Sequence, residues 1–123
     1  MCRNDELDKF FPLALNLIGK TSLTDLISVT KRLDLLITGD SAPLHVASAA
    51  GIKTLALFGP TDPRRHLPPG SGVRALAKTL PCQPCYSGLC KNPETLACLK
   101  RISVQEVYDT AEMMLRRERP VYL

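Results

Sequence analysis

The stretch Thr38-Gly39-Asp40-Ser41-Ala42-Pro43-Leu44-His45 (TGDSAPLH) decides how this chain folds. It follows Asp34 to Thr38 (DLLIT), an apolar run of strand length with no polar alternation, as expected of a strand covered on both faces. Gly39 ends the run. Ser41 stands where a helix would be capped, and Pro43 suits a first helical turn, which has no use for its missing N–H. The helix should run from Ala42 to about Ala50, with Gly51 as its C-terminal stop. Lys53 to Phe58 (KTLALF) reads as the next strand, closed by Gly59. A strand, helix and strand in this order imply parallel strands with helices on the faces.

Upstream, Leu13 to Ile18 is a short apolar run read as a strand ending at Gly19. Thr21 or Ser22 then caps a helix, with Asp25 completing a capping-box variant. That helix should reach about Leu33 and carry a stripe of Leu23, Leu26, Ile27 and Thr30. Downstream, residues 59–72 (GPTDPRRHLPPGSG) are rich in proline and glycine and read as a loop or linker without a regular element. Val73 to Ala77 reads as a further strand. The spacing predicts a last amphipathic helix over about 104–116, with Val104, Val107, Ala111, Met114 and Leu115 turned inward. The fold class is therefore α/β: a Rossmann-like parallel sheet of three or four strands flanked by helices, forming one partial domain over residues 1–123.

With 123 residues, 45% of them hydrophobic and 23% charged, the chain has the composition of a single globular domain. Its net charge of +4 suits phosphorylated or acidic ligands and equally an ordinary basic surface. No basic run with interleaved aromatic residues is present, which argues against nucleic acid. The opening MCRNDELDKF is not a signal peptide in character, and the apolar runs are too short to span a membrane. These features point to the cytoplasm, where the five cysteines would be thiols or metal ligands before disulfides. Cys2 is isolated and reads as incidental.

The junction at Gly39 carries the chemistry. Ligands of open α/β sheets bind beyond the C-terminal ends of the strands, and a helix starting there offers unpaired N–H groups and a positive dipole end to a phosphate. Ser41 either caps the helix or donates to a phosphate oxygen, and His45 lies one turn on at the same helix end. Thr61 and Asp62, in the loop after the next strand, leave the same sheet edge, and Arg64 or Arg65 would neutralise phosphate charge there. A rigid proline turn with solvated arginines explains the same composition. Cys82, Cys85, Cys90 and Cys98 are spaced C-x2-C-x4-C-x7-C. The first pair has the spacing of zinc ligands and the second does not, so structural zinc, reduced thiols and disulfides all remain open for the segment 82–98.

DSAPLHVASAAG (40–51) followed by TLALFGPTDPRR (54–65) resembles the signature of glycosyltransferase family nine, the heptosyltransferases of lipopolysaccharide assembly. GKTSLTDLISVTKRLDLLITGD (19–40) resembles that family's lead-in, and the cysteine tail its C-terminal end. The resemblance implies the C-terminal half of a two-domain GT-B-type enzyme. In such an enzyme Gly39, Asp40, Ser41, Ala42, Pro43, His45, Thr61 and Asp62 would face an ADP-heptose or similar nucleotide-sugar donor, with Asp40 as the catalytic position. Many members carry glycine where Ala42 stands. The implied reaction is inverting transfer to a lipid-linked saccharide, with no metal required and with peripheral association at the inner face of a membrane. The family's acceptor domain is not seen here, so the chain alone is not expected to complete a transfer. Two other classes fit the residues without the resemblance: a non-catalytic nucleotide or phosphoanion-binding module, and a zinc-bearing interaction domain built on the cysteines.

Overall fold

The computed structural model describes Lys9, residues 12–70 and residues 72–116. Its elements in chain order are α1 (Leu23–Thr30), β1 (Leu36–Gly39), α2 (Ala42–Ala49), β2 (Thr54–Phe58), α3 (Pro63–His66), β3 (Val73–Ala77), α4 (Ala97–Lys100) and α5 (Val104–Arg116). The three strands form one parallel sheet in the order β1-β2-β3. The register pairs Gly39 with Leu57 and Phe58 with Ala77. All three strands therefore release their following loops along one edge.

The central strand is the most apolar element. Thr54, Leu55, Ala56 and Phe58 are all fully buried. Because side chains alternate along a strand, burial at both odd and even positions requires cover on both faces. On one face Ala56 and Phe58 meet Leu44 of α2, with Leu67, Val73 and Ala75 packed around them. α2 sends Leu44 and Ala47, three residues apart, into this core. Its far end closes through Gly51 in the left-handed region at φ 72°, with Gly51 N–H donating to Ser48 and Ile52 N–H to Ala47. This pair of bonds satisfies the last helical carbonyls and needs a residue that tolerates positive φ. α5 is tied to the start of β2 by Lys53 Nζ, which donates to the Met114 carbonyl at 2.9 Å.

Several expectations are corrected. Residues 13–18 form turns and irregular chain rather than a strand, and Leu13 and Leu15 are fully or largely exposed. An apolar run with no strand to pair with leaves its backbone groups to water or turns. α1 has the expected capping box between Ser22 and Asp25 but ends at Thr30, and only Thr30 of its stripe is buried. Leu23 and Ile27 remain exposed because α1 touches the rest of the fold along a narrow line against α2. The proline-rich loop contains a helix, α3, capped by Asp62 with Pro63 in its first turn. α5 buries Met114 and half-buries Val107 and Ala111, whereas Val104 at its first position and Leu115 in its last turn are exposed.

Phe58 is 0% exposed at the centre of the core cluster. Phe58→Ala should lower the unfolding free energy by about 3–5 kcal/mol, read by urea denaturation, and a loss below about 1 kcal/mol would show that the core does not depend on this ring.

Candidate functional site

The site is built from the loops that follow β1 and β2. At the end of β1, Gly39 brings the chain to Asp40, which is half-buried, and to Ser41, which is exposed at the N-cap of α2. Ser41 is extended (φ −158°, ψ 171°) and its side chain makes no capping bond. Its hydroxyl lies instead 3.3 Å from Thr38 Oγ1 and donates to the Gly39 carbonyl at 3.4 Å. Pro43 occupies the first turn and offers no N–H. Ala42 and His45 are exposed beside it. The positive end of α2 thus stands uncapped by any side chain at the C-terminal edge of a parallel sheet, an arrangement that favours an anion.

The loop after β2 is built differently. Asp62 is buried and fully engaged: Oδ1 accepts from the Arg64 backbone N–H at 3.0 Å, and both oxygens accept from the Arg64 guanidinium, Oδ2 at 2.9 Å from one terminal nitrogen. The guanidinium and backbone N–H of Arg64 hold the Asp62 carboxyl below its usual range. Asp62 therefore starts α3 and neutralises Arg64, and both of its oxygens are already committed. Thr61 differs: its Oγ1 is buried and has no hydrogen-bond partner. Arg65 is exposed.

Thr61 and Asp62 line a cavity of about 350 Å³ with Arg64, Lys78 and Gln83. The buried Gln83 Oε1 also lacks a partner, while the Gln83 amide nitrogen donates to the Gly59 carbonyl. None of the residues from Gly39 to His45 lines this cavity. The structure therefore sorts the expected donor-site residues into two neighbouring groups: Gly39, Asp40, Ser41, Ala42, Pro43 and His45 on the open edge, Thr61 and Asp62 in the cavity wall. Lys78 and Gln83 were not among the sequence candidates. Lys78 is the first residue past β3, a position at the binding edge of the sheet that the strand pattern alone points to.

Lys78 pairs with Glu106, the first-turn acid of α5. Glu106 also accepts from the Ser103 backbone N–H at 2.8 Å and the Ser103 hydroxyl at 2.9 Å, while Ser103 Oγ accepts from the Glu106 N–H at 3.1 Å. This capping box is visible in the sequence as Ser103-Val104-Gln105-Glu106. The Lys78 ammonium, then the Ser103 donors, hold the Glu106 carboxyl down at about 2.

The cysteine segment is fastened to the same loop. The Cys85 and Tyr86 N–H groups both donate to the Pro60 carbonyl at 3.0 Å, and the Tyr86 ring lies 5.7 Å from that of His66. Cys82, Cys85, Cys90 and Cys98 are free thiols, and all four line a second cavity. The Leu96 N–H, first among its neighbours, holds the Cys90 thiol below its usual range. Among the described residues no three His, Cys, Asp or Glu side chains already stand as a metal-holding group. The expected zinc ligands are thus brought to one cavity but not into a formed ligand set. Cys2 lies outside the described residues. No helix of the described residues is long and apolar enough to cross a membrane.

The fold is thus a parallel α/β sheet with an uncapped helix start at its C-terminal edge, and sequence comparison narrows its class. Residues 3–96 match the family described as glycosyltransferase family 9 (heptosyltransferase), so the chain belongs to that family. It is 30% identical over 102 residues to lipooligosaccharide heptosyltransferase 2 of Campylobacter jejuni serotype O:2, covering 82% of this chain and 32% of that protein. It is 35% identical over 76 residues to lipooligosaccharide heptosyltransferase 2 of Haemophilus influenzae, covering 62% of this chain and 21% of that one. A lipopolysaccharide core heptosyltransferase, OpsX, of the same organism is 34% identical over 53 residues, covering 43% of this chain and 15% of its own length. The chain thus spans about a third or less of these relatives. No solved structure matches it.

Glu106 has a depressed carboxyl, so its contribution to stability is complete above its ordinary value of 4.5 and is lost as pH falls from there through about 2. Acid unfolding followed by circular dichroism should therefore steepen across that window, and Glu106→Gln should flatten the slope. An unchanged slope in the variant would remove the Lys78–Glu106 contact from the account.

Proposed function

We propose that this chain is the nucleotide-sugar-binding portion of a heptosyltransferase, taking ADP-heptose or a similar donor for inverting transfer to a lipopolysaccharide core or related acceptor. The observation that carries this reading is the helix N-terminus of α2, which stands at the sheet edge with Ser41 in the cap position and its hydroxyl not used as a cap. Membership of the heptosyltransferase family supports the choice of ligand.

In this reading the donor diphosphate sits on the first turn of α2, within reach of the Ser41 hydroxyl and His45. When the sugar leaves, negative charge grows on the departing diphosphate. Fixed N–H donors and a helix dipole aimed there lower the barrier without having to reorganise. Asp40 has a different task. A carboxylate beside a phosphate is repelled by it, so Asp40 serves by accepting hydrogen bonds from sugar hydroxyls and orienting the reacting carbon. Thr61, with an unpartnered buried hydroxyl in the neighbouring cavity wall, provides a further donor to the ligand. Asp62 acts indirectly, by holding Arg64 and the start of α3. The acceptor, a lipid-linked saccharide, would meet the donor through a second domain and at a membrane surface.

Titrating the chain with ADP, followed by NMR, should shift the resonances of Gly39 to His45. Asp40→Asn should leave ADP affinity within about twofold but weaken ADP-heptose by about tenfold, the loss of one charged hydrogen bond. Shifts confined to the cysteine segment, or equal losses for both ligands, would overturn the assignment.

A further inference from the structure

Cys82, Cys85, Cys90 and Cys98 come from three separate parts of the local chain, yet all four line one cavity of about 260 Å³. Each part is held by bonds that do not involve a sulfur–sulfur contact. The Cys82–Cys85 turn is fastened through the Cys85 and Tyr86 N–H groups to the Pro60 carbonyl. Tyr86, directly after Cys85, takes the left-handed conformation (φ 50°), which turns the chain sharply once the pair has been presented. Cys98 is buried in α4, and α4 is seated on the end of β2 where Gly59 leaves room for Leu99: a Cβ at Gly59 would come within 2.8 Å of the Leu99 side chain.

Two of the sulfurs already receive N–H donors. The Leu96 backbone N–H points at Cys90 Sγ (3.2 Å), with Leu96 itself left-handed at φ 61°. The Asn92 side-chain amide points at Cys82 Sγ (3.4 Å). Donors aimed at sulfur are what an anionic thiolate requires and a neutral thiol or disulfide does not. Four thiolates outweigh the charge of a divalent ion, and Lys91 on the cavity wall offsets half of the excess.

We propose that these four cysteines bind one zinc ion that locks the segment 82–98 onto the end of β2. Among the described residues no three of these side chains already stand as a metal-holding group, so the ion has to gather sulfurs that share a cavity wall. Binding draws the sulfurs inward to about 2.3 Å from the ion. Each thiol loses its proton to solvent as its sulfur–metal bond forms, and no electron moves. The ion is structural: four protein sulfurs leave it no open position for a substrate. Its four ligands are distinct from the donor-site residues Gly39 to Asp62, although Gln83 lines both cavities.

The test is to add cobalt(II) to the reduced, metal-free chain and record its absorption. The expected result is about one cobalt per chain, with the sulfur-to-metal charge-transfer band and intense d–d bands of a tetrahedral thiolate site, bleached when zinc is added. Cys82→Ser and Cys90→Ser should each weaken zinc binding by at least tenfold. Hydrogen exchange across residues 82–98 should slow on zinc addition while exchange in β2 stays unchanged. This readout on the unaltered chain keeps the proposal testable if a variant fails to fold. Absence of the charge-transfer band, four thiols that react equally fast with and without zinc, or zinc binding that survives both substitutions together would overturn the proposal.

Discussion

The constraint on which the structure rests is that β2 is paired on both edges and covered on both faces. A strand so placed has little solvent-facing side chain to spare, and Thr54, Leu55, Ala56 and Phe58 meet that demand while Leu57 is half-buried. Burial on two faces forces helices or packed loops onto both sides of the sheet. Parallel pairing forces the crossovers, and the crossovers deliver every loop to one edge. The position of Asp40, Ser41, Thr61 and Lys78 along a common edge is thus a consequence of the burial of the central strand.

The same strand exit organises the C-terminal part of the chain. Gly59 and Pro60 offer their carbonyls to Gln83, Cys85 and Tyr86, and Gly59 lets Leu99 approach. A loop without regular structure is thereby hung from the end of the most deeply buried strand of the sheet. Three hydrogen bonds to adjacent carbonyls together restrict the cysteine segment more than its exposed thiols would indicate.

Much of this architecture is legible in the residues. The bounds of β3 and α5 agree with those read from apolar spacing, as does the Ser22–Asp25 cap of α1, because each depends on local pattern and local bonds. Gly51 is equally plain, since little else closes a helix at positive φ. What escaped reading is what depends on distant partners. Leu13 to Ile18 has the composition of a strand but nothing to pair with. Pro63 reads as a breaker, yet with Asp62 as cap it begins a helix. Asp62 itself reads as a ligand contact, and only the geometry of Arg64 shows that its oxygens are already occupied. The attachment of Cys85 and Tyr86 to Pro60 joins residues far apart in sequence, which no periodicity reports.

The pairing of Arg64 with Asp62 and of Lys78 with Glu106 also governs how ionic strength acts on this protein. Both cations beside the Thr61 cavity carry an internal counterion, so an anion arriving there must displace a carboxylate and gains little from long-range attraction. The start of α2 has no acidic residue in its first turn, although the Asp40 carboxylate stands just before its cap. Attraction at that edge comes from backbone dipoles, which decay within a turn and act only at contact. The two neighbouring surfaces therefore differ in kind. One is internally neutralised, and the other offers a short-ranged dipole beside a carboxylate, so neither projects a long-range field for added salt to screen.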